Sequence, residues 1–319
     1  MNAKLNKVYA RAGMALLLAG MALPVAAAPF AYVSNEKSGT VSIVDTANDS
    51  VIGEIPIGKE PRGMAVSNDG KRLYVSTQPD GVAVVDIPGS RVVAKIVTGR
   101  SPEAVDIAAD GRWVAVADEE SNDVAVIDTA ALRRAFVVQT RGKNPEHAVF
   151  SPDARWIYVG AEDGEVVDII DVAARKIVNS VKVGKRPRGI AFTPDGKRAY
   201  VAAENSNTVY VLDVARQEVI TTIAAGTRSN GLAMHPSGAR VYVSNGGDGT
   251  VSVIDTAANK ITATIEVGKR PWNMALTPDG KKLYVANGRS DSVSVIDTEK
   301  NAKLRDIPVG KMPWGVTVE

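Results

Sequence analysis

GIAFTPDGKRAYVAAENSNTVYVLDVARQEVITTIAAG, residues 189–226, is the stretch that decides the fold. It reads as four short β-strands parted by turn signals. GIAFT runs into the turn Pro194-Asp195-Gly196-Lys197, and RAYVAA into the polar loop Glu204-Asn205-Ser206-Asn207. TVYVLD then meets the turn Val214-Ala215-Arg216-Gln217, and EVITTIAAG closes the unit. Side chains within each run alternate with period two, as half-buried strands require. The Pro-Asp-Gly turn has a mechanism: proline presets its own φ, and glycine accepts the positive φ that closes a tight hairpin.

The unit recurs along the chain. Its aromatic-valine marker falls at Tyr32, Tyr74, Tyr158, Tyr200, Tyr242 and Tyr284, with Ala115 in the third copy, at steps of 41 to 43 residues. A second marker keeps the same beat: Asp45, Asp86, Asp128, Asp171, Asp213, Asp255 and Asp297 each end a V-x-V-[IVL]-D-like run. Seven units of four antiparallel strands at about 40 residues each predict an all-β, seven-bladed β-propeller. The ends predict how it closes. The first unit begins at its second strand (PFAYVSN), and the chain finishes with MPWGVTVE, which matches only the start of a unit. The C-terminal strand is therefore expected to pair with Ala31–Asn35 of the N-terminal blade, leaving no open edge.

Residues 1–27 read as a secretory signal peptide, and residues 28–319 as the propeller. Lys4, Lys7 and Arg11 precede an apolar run, Gly13–Leu23, and small residues follow at Val25 and Ala27. The expectation is export to the periplasm as a secreted protein with no membrane span, monomeric. Without the three basic residues of the leader the formal charge moves from +2 to −1. A near-neutral domain offers no general attraction to nucleic acid. With no cysteine, disulfides, thiolate metal sites and covalent haem attachment are excluded.

The pattern [LAVI]-Y-V-[SAG]-[NTA] followed by V-x-[VI]-[IVL]-D-T resembles the YVTN-repeat β-propellers over essentially all of residues 29–319. The segments VGKMPWGV (309–316) and VGKRPWNMALTPDGKKLYVANG (267–288) look like propellers associated with PQQ-dependent alcohol catabolism. That resemblance implies an accessory protein of periplasmic alcohol oxidation.

Propellers concentrate recognition at the mouth of the central channel, where the loop into each inner strand carries one variable side chain. From blade one, these are Trp314, Arg62, Glu103, Glu146, Arg188, Asn230 and Trp272, with His147 beside Glu146 where most blades have glycine. The blade order sets Trp272 next to Trp314 and Glu103 next to Glu146. These eight residues form the candidate ligand- or partner-binding surface, suited to a small polar ligand or to a periplasmic protein. The alternative is that arginines and glutamates merely pair and the tryptophans cap the channel.

Other groups read as structural. The repeat aspartates suit Asx-type turns. The acidic loops, with Asp118, Glu119, Glu120, Asp123, Glu162, Asp163 and Glu204, interleave with Lys59, Arg100, Lys143, Lys185, Arg186, Arg228, Lys269, Arg270 and Lys311, which reads as a solvated, self-neutralising surface. Loop 118–123 lacks calcium-loop spacing. His235 sits in a hairpin, and two histidines argue against a haem-bearing propeller. No metal, cofactor or catalytic residue is predicted, and no G-x-S-x-G, H-E-x-x-H or phosphate-loop motif occurs. The reading is a non-enzymatic binding or scaffold propeller. The alternative is a lactonase-like hydrolase using Glu103, Glu146, His147 and Arg188; direct PQQ binding at the tryptophans and arginines is a weaker third.

Overall fold

The computed structural model describes residues 29–319. The leader read over residues 1–27 lies outside the described residues. Among the described residues, twenty-eight strands form seven four-stranded antiparallel sheets, each strand paired with its sequence neighbour. The exception is the closure. Phe30–Asn35 lies between Thr40–Asp45 and the C-terminal strand Pro313–Val318, with Ala31 opposite Val318 and Val33 opposite Val316. The expected seven-bladed propeller and its closure are both present. No helix among the described residues is long and apolar enough to cross a membrane.

Alternation within the strands builds the packing between blades. Tyr32, Tyr74, Tyr158, Tyr200, Tyr242 and Tyr284 are the largest fully buried side chains. Each apolar cluster spans two sheets; one joins Ala31, Val33, Val44 and Val316 of blade one to Tyr284, Ala286, Val293 and Val295 of blade seven. Val- and Ala-rich strands suit this, because a β-branched or small residue fills the narrow gap between twisted sheets without wide rotamer choice. Polar straps add to it. Arg72, Arg198, Arg240 and Lys282 each reach a threonine carbonyl of the next blade, at Thr129, Thr256, Thr298 and Thr46.

The repeat markers take the roles their positions suggest. Asp45, Asp128, Asp171, Asp213, Asp255 and Asp297 accept backbone N–H groups two or three residues on, and Asp86 accepts from Gly89. His235 stands in its hairpin, with Nδ1 2.7 Å from Ser237 Oγ.

What positions the mouth is a repeated slip in register. In blade two Pro61 pairs with Thr77 and the ladder resumes only at Met64 opposite Val75, leaving Arg62 and Gly63 unpaired. The same two-residue gap frees Glu103, Arg188, Asn230 and Trp272. Blades four and one skip a single residue, Glu146 and Trp314. A bulge of this kind re-aims side chains away from the sheet plane. Glycine after the variable residue lets the next inner strand come close: a Cβ on Gly189 would lie 2.5 Å from the Asn230 carbonyl oxygen.

Candidate functional site

The mouth divides into a charged arc and a neutral arc. Across blades one to five, Arg62 pairs with Glu103 and stands 3.6 Å from Glu36. Arg188 is the hub. Its guanidinium pairs with Glu146, with Glu162 at 2.5 Å and with Glu204 at 2.8 Å. Arg270 reaches Glu204 at 2.7 Å, and Arg186 reaches Glu162 at 2.9 Å. Gln78 donates to Glu103 at 2.8 Å.

Here the structure corrects the sequence reading. Glu162 and Glu204 were expected in a solvated surface, yet they are 6% and 1% exposed and belong to the Arg188 network. Asp118 is likewise buried, its Oδ1 accepting from the N–H groups of Arg100, Ser101 and Ser121. Of the residues named from sequence, Arg62, Glu103, Glu146 and Arg188 do come together, while Glu36, Glu119, Glu162 and Glu204 were missed as members. One signal was available: all four occupy the first residue after the second strand of their blades, a position that the repeat alignment brings to the channel rim.

Electrostatics follow from this crowding. Burial, reinforced by the charge of Glu146, pushes the Glu103 carboxyl up to about 9, with Arg62 pulling the other way. Burial and then Glu146 lift Glu162 to about 7. Burial of Glu204 is outweighed by Arg188 and Arg270, which hold it below the usual carboxylate range. Burial opposes the charge of Arg188, but its glutamates hold its pKa above the ordinary value. Carboxylate oxygens of Glu103, Glu119 and Glu146 converge to within 4.8 Å of one another, a donor set of hard-cation type. Two of the three already receive a guanidinium.

The neutral arc contains the second correction. Trp272 and Trp314 were expected as a paired aromatic wall. Instead Trp314 stacks on His147 from across the channel, with ring centroids 6.1 Å apart and planes 17° apart, and Trp272 lies over Gly288, where a Cβ would meet its ring at 2.5 Å. No Trp272–Trp314 ring pair occurs among the described residues. His147 Nε2 lies 3.2 Å from Asn273 Oδ1, and Asn273 Nδ2 donates to the Trp314 carbonyl at 3.5 Å. His147 and Asn273 both replace the glycine of the repeat, and it is these two side chains that meet. Burial lowers the His147 pKa, which keeps the ring neutral at pH 7. Two atoms of this arc have no partner among the described residues: His147 Nδ1 and Asn230 Nδ2. Asn230 itself is 1% exposed.

The family profile described as "Lactonase, 7-bladed beta-propeller" matches residues 171–310, and that described as "Cytochrome D1 heme domain" matches residues 31–148. The chain is a seven-bladed β-propeller. Among solved structures, hydrazine synthase of Kuenenia stuttgartiensis is 24% identical with a TM-score of 0.78, covering 89% of this chain and 99% of that one. A Bacteroides fragilis protein provisionally named a 6-phosphogluconolactonase is 19% identical with a TM-score of 0.78, covering 93% and 99%. Dihydro-heme d1 dehydrogenase NirN, solved in complex with DHE, is 16% identical with a TM-score of 0.66, covering 90% and 74%. At these identities the likeness of this propeller to each is one of fold. No curated protein matches the chain.

Proposed function

We propose that this propeller is a non-enzymatic binding protein of the periplasm. It recognises a small polar ligand or the tip of a partner protein through Arg62, Glu103, Glu146, His147, Arg188, Asn230, Trp272 and Trp314. The observation that carries this is the pair of unpartnered buried atoms, His147 Nδ1 and Asn230 Nδ2. A buried polar group left unpaired costs about 1–3 kcal/mol, and a bound group supplying the missing hydrogen bonds offsets that cost. The charged arc supports the same reading. Its guanidiniums are engaged by carboxylates, which makes a rigid, preorganised rim rather than a set of free reactive groups. The basic, apolar and small-residue order of residues 1–27 supports export, and the resemblance to propellers of PQQ-dependent alcohol catabolism supports an accessory place in alcohol oxidation.

The test is capture from a periplasmic extract, comparing wild type with an Asn230→Ala/Trp272→Ala double variant whose fold is checked by circular dichroism. Loss of the bound species from the variant is expected. Recovery of the same species from both would remove the mouth as the recognition surface.

One observation favours a second reading. The lactonase profile covers the segment holding Arg188, Glu204 and Arg270, three members of the mouth network, and a lactonase-like hydrolase would use a protonated Glu103 as general acid. A lactone panel run with and without divalent metals separates the two. Turnover that disappears in Glu146→Gln would end the binding-only reading.

A further inference from the structure

We propose that the rim between blades six and seven, which adjoins the mouth network through Arg270, is an oxyanion site for a small dianion such as a phosphate monoester or a dicarboxylate. The repeat breaks at this rim. The first residue after the second strand is Glu36, Gln78, Glu119, Glu162 and Glu204 in blades one to five, but Gly246 and Gly288 in blades six and seven. Cations of the adjoining loops persist while the carboxylates that would answer them are gone.

Three rim pockets show the result. The pocket at blades one and two, about 870 Å³, sets Lys37, Lys59 and Arg100 against Glu36, Glu60 and Glu120, and Lys37 pairs with Glu60 at 2.9 Å. The pocket at blades four and five, about 520 Å³, is acidic, with Glu119, Glu162, Asp163 and Glu165 against Lys185 and Arg186. The pocket at blades six and seven, about 670 Å³, holds Arg228, Lys269, Arg270 and Arg289 against only Asp248 and Glu266. Asp248 is already engaged by the Thr227 N–H at 2.6 Å. Arg228, Lys269 and Arg289 are exposed and make no side-chain ion pair or hydrogen bond among the described residues.

Arg270 supplies the fixed anchor. Its Nη2 is held by Glu204 at 2.7 Å, and its Nη1 is buried without a partner. The guanidinium lies against the bare backbone of Gly246, where a Cβ would approach Nη1 to 2.9 Å. A planar guanidinium fixed by one carboxylate, beside three exposed cations, is the donor set that oxyanions select.

The experiment is calorimetric titration of the purified protein with inorganic phosphate and, in a parallel arm, with malonate. Saturable binding of at least one is expected, weakening as chloride rises because exposed charges are screened; the tighter arm identifies the ligand chemistry. Arg228→Gln/Arg289→Gln should weaken it by about tenfold or more. Gly246→Glu, which restores the residue type of blades one and three to five, should abolish it. Lys37→Gln/Lys59→Gln, on the balanced rim, and Asn230→Ala, in the mouth, should bind as wild type does. Absence of saturable binding by folded protein in both arms, or unchanged affinity in Arg228→Gln/Arg289→Gln, would overturn the proposal. Loss in Asn230→Ala would assign the anion to the mouth instead.

Discussion

On the face that carries the hairpin turns, blade after blade repeats one arrangement. Ser67, Ser151, Thr193 and Thr277 each donate to the aspartate two residues on, all at 2.6 Å, and the repeat aspartates close the neighbouring turns. On the mouth face, going round from blade one, the variable position changes from tryptophan to arginine, to glutamate twice, to arginine, asparagine and tryptophan. The scaffold beneath both faces is the same set of sheets. What differs is exposure and redundancy: the hairpin aspartates Asp69, Asp153, Asp195 and Asp279 are exposed and each serves its own blade, whereas Glu103, Glu146, Glu162 and Glu204 are buried and shared between blades. Sameness marks groups that build a blade, and divergence marks groups that build something only the ring has.

That contrast can be broken most severely at the closure, which both faces need. Deleting residues 311–319 removes the inner strand of blade one and exposes the edge of Phe30–Asn35. The expected outcome is loss of the single cooperative thermal transition, and wild-type melting would contradict the shared dependence. Next in size is Arg188→Met, which leaves Glu146, Glu162 and Glu204 without their common partner. Removing one member of a buried ion network costs about 3–5 kcal/mol, measurable by urea unfolding.

Acidity then sharpens the comparison, because Glu103 of the mouth and Asp279 of the turn face respond with opposite sign. Glu103 has a raised pKa, so the folded state binds more protons than the unfolded chain, whose Glu titrates near about 4.3. Its effect is to lower stability progressively as pH climbs from there to about 9. Glu103→Gln should flatten that decline in a series of melting temperatures. Asp279 on the turn face has its pKa lowered, first by the Thr277 hydroxyl and then by the Lys281 N–H. Its stabilisation is complete at neutral pH and is lost on acidification. Asp279→Ala is the smallest expected change, about 1–2 °C in melting temperature at pH 7, vanishing at low pH.

Periodicity made the blades, the turn aspartates and the closing strand legible, because each depends on local spacing that the repeat states seven times over. Arg62, Glu103, Glu146 and Arg188 were legible as mouth residues for the same reason. Glu162 and Glu204 were not. Glu162 meets guanidiniums of blade five, and Glu204 those of its own blade and of blade seven; a lone acidic loop, read without the alignment of the repeats, carries no mark of that. Trp314 was placed on the right element, but its partner was misread. Blade order puts Trp272 beside it, whereas the register slip sets His147 of the opposite blade against its ring. Asn273 escaped notice although it fills the same glycine position as His147, and the two side chains meet at 3.2 Å.

Glu319 accepts from the Phe30 N–H and the Tyr32 hydroxyl, and its own N–H bonds to the Phe30 carbonyl. First and last strands therefore leave the ring within a few ångströms of each other, beside the hairpin turns and away from the channel opening. A tether fused to either terminus would hold the molecule with its rim facing outward, unobstructed. The same proximity makes the chain a candidate for circular permutation: a short linker joining residues 29 and 319, with new ends cut into any exposed hairpin, should return the same disc.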